Sequence, residues 1–267
     1  MAAALLHELR LFFIALQFFT RVPIPSWVGF EPVWLQQCAR HFPGVGAVIG
    51  AVGAGALALG ALCWPPAVAV GVAMAVGVVL TGGFHEDGLA DTFDALGGWV
   101  SRERALTIMK DSRIGSYGAL ALVLVLGLRA ATLTALVTLD LRTAVIAWVW
   151  VQCASRLAPV WLTHRLPYAG DAEHAKAKPL AMQVSGSGVV AASGWLVLAC
   201  GAAVWALPAG GQGGLGAALL AGALATLALQ RWLRARLGGF TGDTLGASQQ
   251  LSELAMLLAW LGALHGA

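Results

Sequence analysis

Charged residues are scarce in this chain of 267 residues: they make up 11% of it, whereas hydrophobic residues make up 59%. A soluble domain carries about 25% charged residues, so the composition excludes an ordinary soluble protein. The apolar residues form runs of roughly 20, the length that a helix needs to cross the hydrocarbon core of a membrane. The short alternating segments of a transmembrane barrel are absent. The sequence therefore predicts an all-α, polytopic helical bundle in a lipid bilayer, with residues 1–267 forming a single integral membrane domain.

Cysteine is also rare, with four residues and no CxxC pair. This pattern argues against both a disulfide framework and a zinc site. The net charge of +3 is small, and the lack of a Lys/Arg block argues against a nucleic-acid partner. The expected partners are therefore the bilayer and small molecules, and faces rich in Gly and Ala also permit a homo-oligomer.

The apolar runs predict about six to seven transmembrane helices, preceded by an N-terminal amphipathic helix over 4–20 that lies at the membrane surface or against the bundle. That first helix ends before Pro23 and Pro25, which cannot continue it. The last apolar run, 251–265, is short, so it is either a seventh span or a helix packed inside the bundle. The six clear spans are 43–63, 66–83, 116–139, 143–163, 187–207 and 214–230.

Lys and Arg are distributed unequally between the two sides of the predicted bundle. The turns on one side contain only Arg142. Twelve other Lys and Arg residues lie in the polar segments on the opposite side, at 21–42, 84–115, 164–185 and 231–250. The positive-inside rule places those segments in the cytoplasm. The sequence thus predicts a protein of the cytoplasmic (inner) membrane whose active site faces the cytoplasm.

Two arginines, Arg129 and Arg156, lie inside predicted spans. A lone charge at that depth costs about 3 kcal/mol on insertion scales, so each is expected to face a partner or a wet cavity. Arg156 is near the inner end of its span, where snorkelling to the interface is an alternative. Arg129 is the main argument for a different function, an ion-coupled membrane transporter of a phosphorylated or anionic solute.

One stretch, Gly82–Gly118, contains six of the thirteen acidic residues. Asp87, Asp91 and Asp94 are spaced i, i+4, i+7, which aligns them on one face of a helix. Like charges on one face repel each other, and a divalent cation relieves that repulsion. Mg²⁺ is typically held by one or two carboxylates together with substrate phosphates, so the stripe predicts a magnesium site. An acidic helix cap is the alternative.

Two residues beside the stripe extend this prediction. Glu86 can join the metal ligands if the helix begins there, and the Gly82-Gly83 pair suits a break just before it. His85 can accept a proton near neutral pH. An interfacial histidine bonded to the backbone is an equally good interpretation of His85.

Basic residues follow the acids in the same stretch and bracket one further carboxylate. Basic side chains beside a magnesium site suit a substrate with a pyrophosphate group, because they balance the charge that develops on its oxygens. Ordinary positive-inside anchoring is the alternative. The next run, RIGSYG, offers two glycines for close backbone approach. The residues concerned are Arg104, Lys110, Asp111, Arg113, Gly115 and Gly118.

A short internal repeat links this stretch to the C-terminal part of the chain. GGFHED (Gly82–Asp87) and GGFTGD (Gly238–Asp243) share Gly-Gly-Phe with an aspartate three residues after the phenylalanine. The repeat predicts that Asp243 faces the same cavity from another helix and completes a metal or substrate site.

Four motifs, in the same order and over most of the chain, resemble the cobalamin synthase family, adenosylcobinamide-GDP ribazoletransferase. They are FFTRVPIP (Phe18–Pro25), GGFHEDGLADTFDALGG (Gly82–Gly98), RERALTIMKDSRIGSYG (Arg102–Gly118) and GGFTGDTLGA (Gly238–Ala247). The resemblance implies a membrane transferase of cobalamin biosynthesis. It would join adenosylcobinamide-GDP to α-ribazole, or to α-ribazole 5′-phosphate, forming adenosylcobalamin or its 5′-phosphate and releasing GMP with the help of Mg²⁺.

The family motifs also give the acids and bases expected roles. Asp87, Asp91 and Asp94 match the family's acidic motif, and Asp111 matches its KDSRIG motif. In the mechanism that follows from this match, the carboxylates hold Mg²⁺ on the GDP pyrophosphate. A catalytic set of His85, Asp87 and Asp91 supplies the proton acceptor, and the basic residues neutralise developing charge.

Overall fold

A computed structural model describes residues 2–170 and 183–265. Those residues form twelve α-helices and one isolated backbone bridge, between Tyr168 and Phe240, which confirms the all-α prediction. The part of the polar loop from 171 to 182 that the positive-inside argument used lies outside the described residues. The helices are α1 (Ala2–Phe19), α2 (Pro32–Gln37), α3 (Phe42–Gly60), α4 (Pro66–Thr81), α5 (Phe84–Leu96), α6 (Arg102–Ile108), α7 (Ser116–Leu139), α8 (Leu141–Ser155), α9 (Leu157–Arg165), α10 (Gly186–Ala206), α11 (Gly213–Leu237) and α12 (Gly242–His265).

The helices confirm a polytopic bundle with six to seven possible spans. Six stretches in the described ranges are long and apolar enough to cross a membrane, and the bent pair of α4 and α5 would be a seventh. The N-terminal helix α1 is one of the six. Its buried residues recur at helical spacing, and it packs against α2 and α3. Those residues are Leu11, Ile14, Ala15 and Phe19.

The span predicted over 143–163 is confirmed, because Leu141–Arg165 is long and apolar enough to cross a membrane, and Arg156 divides it into α8 and α9. One predicted boundary was wrong. The segment 231–250 was assigned to a polar connection, but α11 continues through it to Leu237 and α12 begins at Gly242. Gly238, which has a positive φ of 71°, ends α11 in the left-handed conformation that glycine adopts readily.

The C-terminal helix α12 lies at the centre of the bundle. It packs against α5, α7, α8, α9 and α11, and Trp260 and Leu257 are fully buried. The apolar run 251–265 is therefore part of the 24-residue helix α12, which packs inside the bundle.

A sharp bend between α4 and α5 sets the position of the acidic stretch. Gly82 and Gly83 both have positive φ, 73° and 74°, and the two helices meet at 89°. Residues with a Cβ rarely adopt that conformation, so the glycine pair makes the bend possible. The bend turns α5 across the start of α12, where Gly246 lies close to the backbone of His85 and Gly88.

Candidate active site

The acidic stripe of α5 lies against the first turn of α12. The two helices approach so closely that a Cβ placed on Gly88 would lie 2.7 Å from the carbonyl oxygen of Asp243. This contact brings Asp243 to the acids of α5, as the internal repeat predicts. Two helices that are distant in the sequence thus contribute carboxylates to one place.

These carboxylates repel each other. Asp91 is half-buried, and the charges that act on it come, in decreasing order, from Asp243, Asp87 and Asp94. Asp87 also acts on the partly buried Asp243. Within the part of the chain that the structure describes, Asp87, Asp91 and Asp243 form no ion pair that would relieve this repulsion.

The carboxylates are donors of the kind that a magnesium ion binds. No group of three or more His, Cys, Asp or Glu side chains among residues 2–170 and 183–265 is arranged to hold a metal ion. Mg²⁺ does not need such a group, because it usually binds one or two carboxylates and takes its other ligands from phosphates and water. Asp91 and Asp243, with the exposed Asp87, provide oxygens of the right kind.

Asp94 makes different contacts from those predicted for a metal ligand. Its Oδ2 accepts a hydrogen bond of 2.7 Å from the amide of Gly115, and its Oδ1 accepts one of 2.7 Å from the amide of Gly118. Both amides belong to the start of α7, where an anion is stabilised by unpaired N–H groups and the helix dipole. For Asp94 the structure therefore shows the acidic cap that the sequence left as an alternative.

The same contact explains the two glycines of RIGSYG. A Cβ at Gly115 or Gly118 would collide with the carboxylate of Asp94. The close approach predicted for these glycines is thus to a carboxylate of the protein. It fixes the preceding loop, which carries Asp111 and Arg113, onto α5.

The predicted substrate-binding residues of this loop are exposed. Arg113 Nη2 lies 2.6 Å from Asp111 Oδ2, and 86% of the Arg113 side chain is accessible to solvent. Hydrogen bonds from Arg113, helped by the charge of Arg104, lower the pKa of Asp111 to about 2. Asp111 thus orients Arg113 at the surface. Arg104 and Lys110 are also exposed, so all three cations are accessible to a ligand in solution.

His85 and Glu86 point away from this cluster. The His85 ring is 3% exposed and stacks on Phe19, with ring centroids 5.3 Å apart. The charged side chains that act on it are Arg156 and Arg129. Glu86 Oε1 accepts a hydrogen bond of 3.1 Å from Gln250 Nε2. The structure therefore does not place either residue with Asp91 and Asp243.

Comparisons with known proteins show the family of this chain. The model of the cobalamin-5-phosphate synthase family matches residues 11–261. The chain belongs to this family. It is 63% identical over 259 residues to the adenosylcobinamide-GDP ribazoletransferase of Leptothrix cholodnii, with 97% of each chain covered. It is 41% identical over 270 residues to the protein of the same name from Albidiferax ferrireducens, covering 94% of this chain and 96% of the relative. No solved structure matches.

The family assignment confirms the resemblance seen in the four motifs, and nothing in these comparisons supports a transporter. The structure also removes the main argument for one. Arg129 Nη2 lies 2.8 Å from Glu253 Oε1, so the intramembrane charge has a partner, as expected. Arg156 is 2% exposed and its Nη1 donates to the backbone and side-chain oxygens of Gln152 at 2.7 Å each. It does not snorkel.

This cobalamin-5-phosphate synthase family member has a buried polar network that the sequence analysis missed. Glu253 accepts hydrogen bonds from Gln152 at 2.9 Å and from Gln249 at 2.7 Å, in addition to its pairing with Arg129. The available signal was an acidic residue in the apolar run 251–265, because an ionisable residue in such a run usually has a partner.

Proposed function

We propose that this chain is an adenosylcobinamide-GDP ribazoletransferase, which joins adenosylcobinamide-GDP to α-ribazole or its 5′-phosphate and releases GMP. The family assignment and the names of the relatives support the reaction. The structural observation that carries the proposal is the meeting of Asp91 and Asp243 beside an exposed basic loop. Carboxylates for a metal and cations for phosphates are what a pyrophosphate substrate requires.

The reaction exchanges one phosphorus–oxygen bond for another. A ribose hydroxyl of the ribazole attacks the phosphorus on the cobinamide side of the pyrophosphate, and a 5′-phosphate on the ribazole is carried unchanged into the product. The bond from that phosphorus to the GMP oxygen breaks, and GMP leaves with the bonding electron pair. The proton of the hydroxyl passes to an acceptor on the protein.

Asp91 is the proton acceptor that the geometry favours. It is half-buried beside Asp87 and Asp243, and taking up a proton reduces the repulsion among these three carboxylates. His85 is less suitable, because its ring stacks on Phe19 and faces the two buried arginines.

Mg²⁺, held by Asp87 and Asp243, would reduce negative charge on the oxygens of the pyrophosphate. The exposed side chains of Arg104, Lys110 and Arg113 add positive charge to the phosphate-binding surface. Lys110 and Arg113 lie in the loop that Asp94 fixes beside the acids, and Arg104 lies in α6, just before it. In the same proposal this surface faces the cytoplasm at the inner membrane, where the positive-inside rule places it.

Release of GMP by the purified protein in lipid tests the proposal. With adenosylcobinamide-GDP, α-ribazole and Mg²⁺, we expect GMP and the corrinoid product to appear in step, and EDTA to stop both.

Asp87→Asn and Asp91→Asn should abolish turnover while the protein remains folded in the membrane. Asp140→Asn is the matched control, because the 24-residue α7 separates Asp140 from the site. Turnover by Asp87→Asn and Asp91→Asn would contradict these roles. Absence of GMP release by the well-folded wild type would contradict the reaction.

A further inference from the structure

A small polar cavity lies inside the bundle behind the acidic stripe. Its water-accessible volume is about 20 Å³, which is enough for at least one water molecule. His85 and Glu86 of α5 line it, together with Arg129, Arg156 and Gln250. The cavity therefore touches the same turn of α5 that carries Asp87, but from the opposite side of the helix.

The side chains that line this cavity carry buried polar atoms without a hydrogen-bond partner among the described residues. Two are donors and three are acceptors, and the sixth is a histidine nitrogen that can be either. Such a mixture suits water, which donates and accepts, better than an anion. The six atoms are Arg129 Nε, Arg156 Nε, Glu86 Oε2, Gln249 Oε1, Gln250 Oε1 and His85 Nε2.

The charges around the cavity divide into two pairs. Arg129 and Glu253 form a direct ion pair, and both oxygens of Glu253 have hydrogen-bond donors. Arg156 and Glu86 remain. Arg156 bonds only to Gln152, and Glu86 bonds only to Gln250. Each therefore lacks a direct counter-ion among the described residues, although the charge of Glu253 and, to a smaller extent, that of Glu86 act on Arg156.

A buried charge that lacks a counter-ion is costly, so Arg156 needs a nearby anion. Glu253 is already occupied by Arg129, and Glu86 is the remaining carboxylate on this cavity. Among the described residues the two side chains form no direct ion pair. The cavity has room for a water molecule, which can accept a hydrogen bond from Arg156 Nε and donate one to Glu86 Oε2. Bridging waters of this kind are nearly as favourable as direct hydrogen bonds.

We propose that Glu86 is the water-bridged counter-ion of Arg156, and that this contact positions α5 so that Asp87 and Asp91 meet Asp243. Glu86 is then a positioning residue and not a metal ligand. Successive residues of a helix point about 100° apart, so Glu86 faces inward while Asp87 faces outward. Gln250, bonded to Glu86 and carried by α12, links the same contact to the helix that presents Asp243.

A double-mutant cycle on thermal unfolding tests the pairing without using the reaction. Glu86→Gln and Arg156→Gln each leave one buried charge, and each should lower Tm by about 5 °C or more. The variant with both substitutions leaves neither charge, so its Tm should be no lower than that of the less stable single variant. The matched control combines Glu86→Gln with Arg40→Gln, whose losses should add because Arg40 pairs with Glu8 and does not line the cavity.

Two outcomes would overturn the pairing. One is additive loss of Tm in the Glu86→Gln, Arg156→Gln protein. The other applies if Arg156→Gln does not fold. The pairing then predicts that the protein with both substitutions does fold. If that protein does not fold either, and Glu86→Gln has the wild-type Tm, the pairing is excluded.

The positioning role rests on the proposed function and has its own test. Glu86→Gln should lower kcat for GMP release and raise the Mg²⁺ concentration for half-maximal rate, because α5 then presents its carboxylates less well to Asp243. Arg156→Gln, which removes no carboxylate, should do the same. A rise in that concentration in Glu86→Gln but not in Arg156→Gln would make Glu86 a ligand and overturn the role. If the wild type releases no GMP while the Tm cycle is non-additive, the proposed function fails and the pairing stands.

Discussion

Arg129 Nη2 lies 2.8 Å from Glu253 Oε1 in the core of the bundle, with 9% and 1% of the two side chains exposed. The pair joins α7 to α12, and the hydrogen bonds from Gln152 and Gln249 to the same carboxylate add α8 to this contact. A buried ion pair adds little net stability by itself, but loss of one partner leaves an uncompensated charge in an apolar core.

Substitution of one partner of this pair should therefore be strongly destabilising. Arg129→Gln or Glu253→Gln is expected to lower the free energy of unfolding by about 3–5 kcal/mol, which thermal unfolding in detergent measures. Arg142→Gln, at an exposed position in the first turn of α8, should have a much smaller effect. If Arg129→Gln is as stable as Arg142→Gln, the pair does not support the core in this way.

Spacing and glycine pattern predict the part of the site that depends on one helix. The i, i+4, i+7 spacing places Asp87, Asp91 and Asp94 on one face, and the Gly82-Gly83 pair marks the bend before α5. Both features follow from local geometry. The internal repeat linked two distant segments of the sequence, and it predicted that Asp243 lies near the acids of α5.

Contacts between helices were not predictable in the same way. Helical spacing gives the angle between two side chains but not the neighbour that each one meets. Glu86 and His85 therefore joined the metal and catalytic sets in the prediction, whereas their neighbours in the structure are Gln250 and Phe19. The capping contact of Asp94 depends on where α7 begins, 21 residues later.

Asp94 should be needed for the position of the basic loop rather than for metal binding. Asp94→Asn removes the charge and one of two acceptor oxygens at the start of α7, at a cost of about 1 kcal/mol. We expect faster amide exchange at Gly115 and Gly118 and weaker substrate binding.

The matched control for this substitution is Asp140→Asn, because Asp140 caps α8 with a hydrogen bond of 2.7 Å from the amide of Thr143. It should cost similar stability without changing KM. Unchanged exchange at Gly115 in Asp94→Asn would contradict the capping role.

The contact between Asp111 and Arg113 should persist over the whole working pH range. The pKa of Asp111 is lowered from 3.8 to about 2 by Arg113. The contact is thus complete above the ordinary pKa and is lost as the pH falls through about 2. From about pH 4 to about pH 9, therefore, the shape of the pH–rate profile should not depend on Asp111.

Asp111→Asn checks this prediction, because it removes the ion pair without changing the size of the side chain. We expect a higher KM from a less well-oriented Arg113, with the pH–rate profile unchanged in shape. A shift of the acidic limb in this variant would assign a titrating role to Asp111.

Gly88 should be essential because α5 and α12 touch there. In Gly88→Ala the new methyl group would lie 2.7 Å from the backbone oxygen of Asp243, and a backbone atom cannot rotate out of the way as a flexible side chain can. The helices must therefore separate, which moves Asp91 from Asp243. A displacement of about 1 Å at a catalytic centre can cost about 100-fold in rate, so GMP release should fall to that extent.

Gly71→Ala on α4 is the matched control for this substitution. A Cβ there meets nothing within 4 Å, so turnover should be unchanged. Full activity of Gly88→Ala would mean that the reaction does not need the two carboxylates at their observed separation.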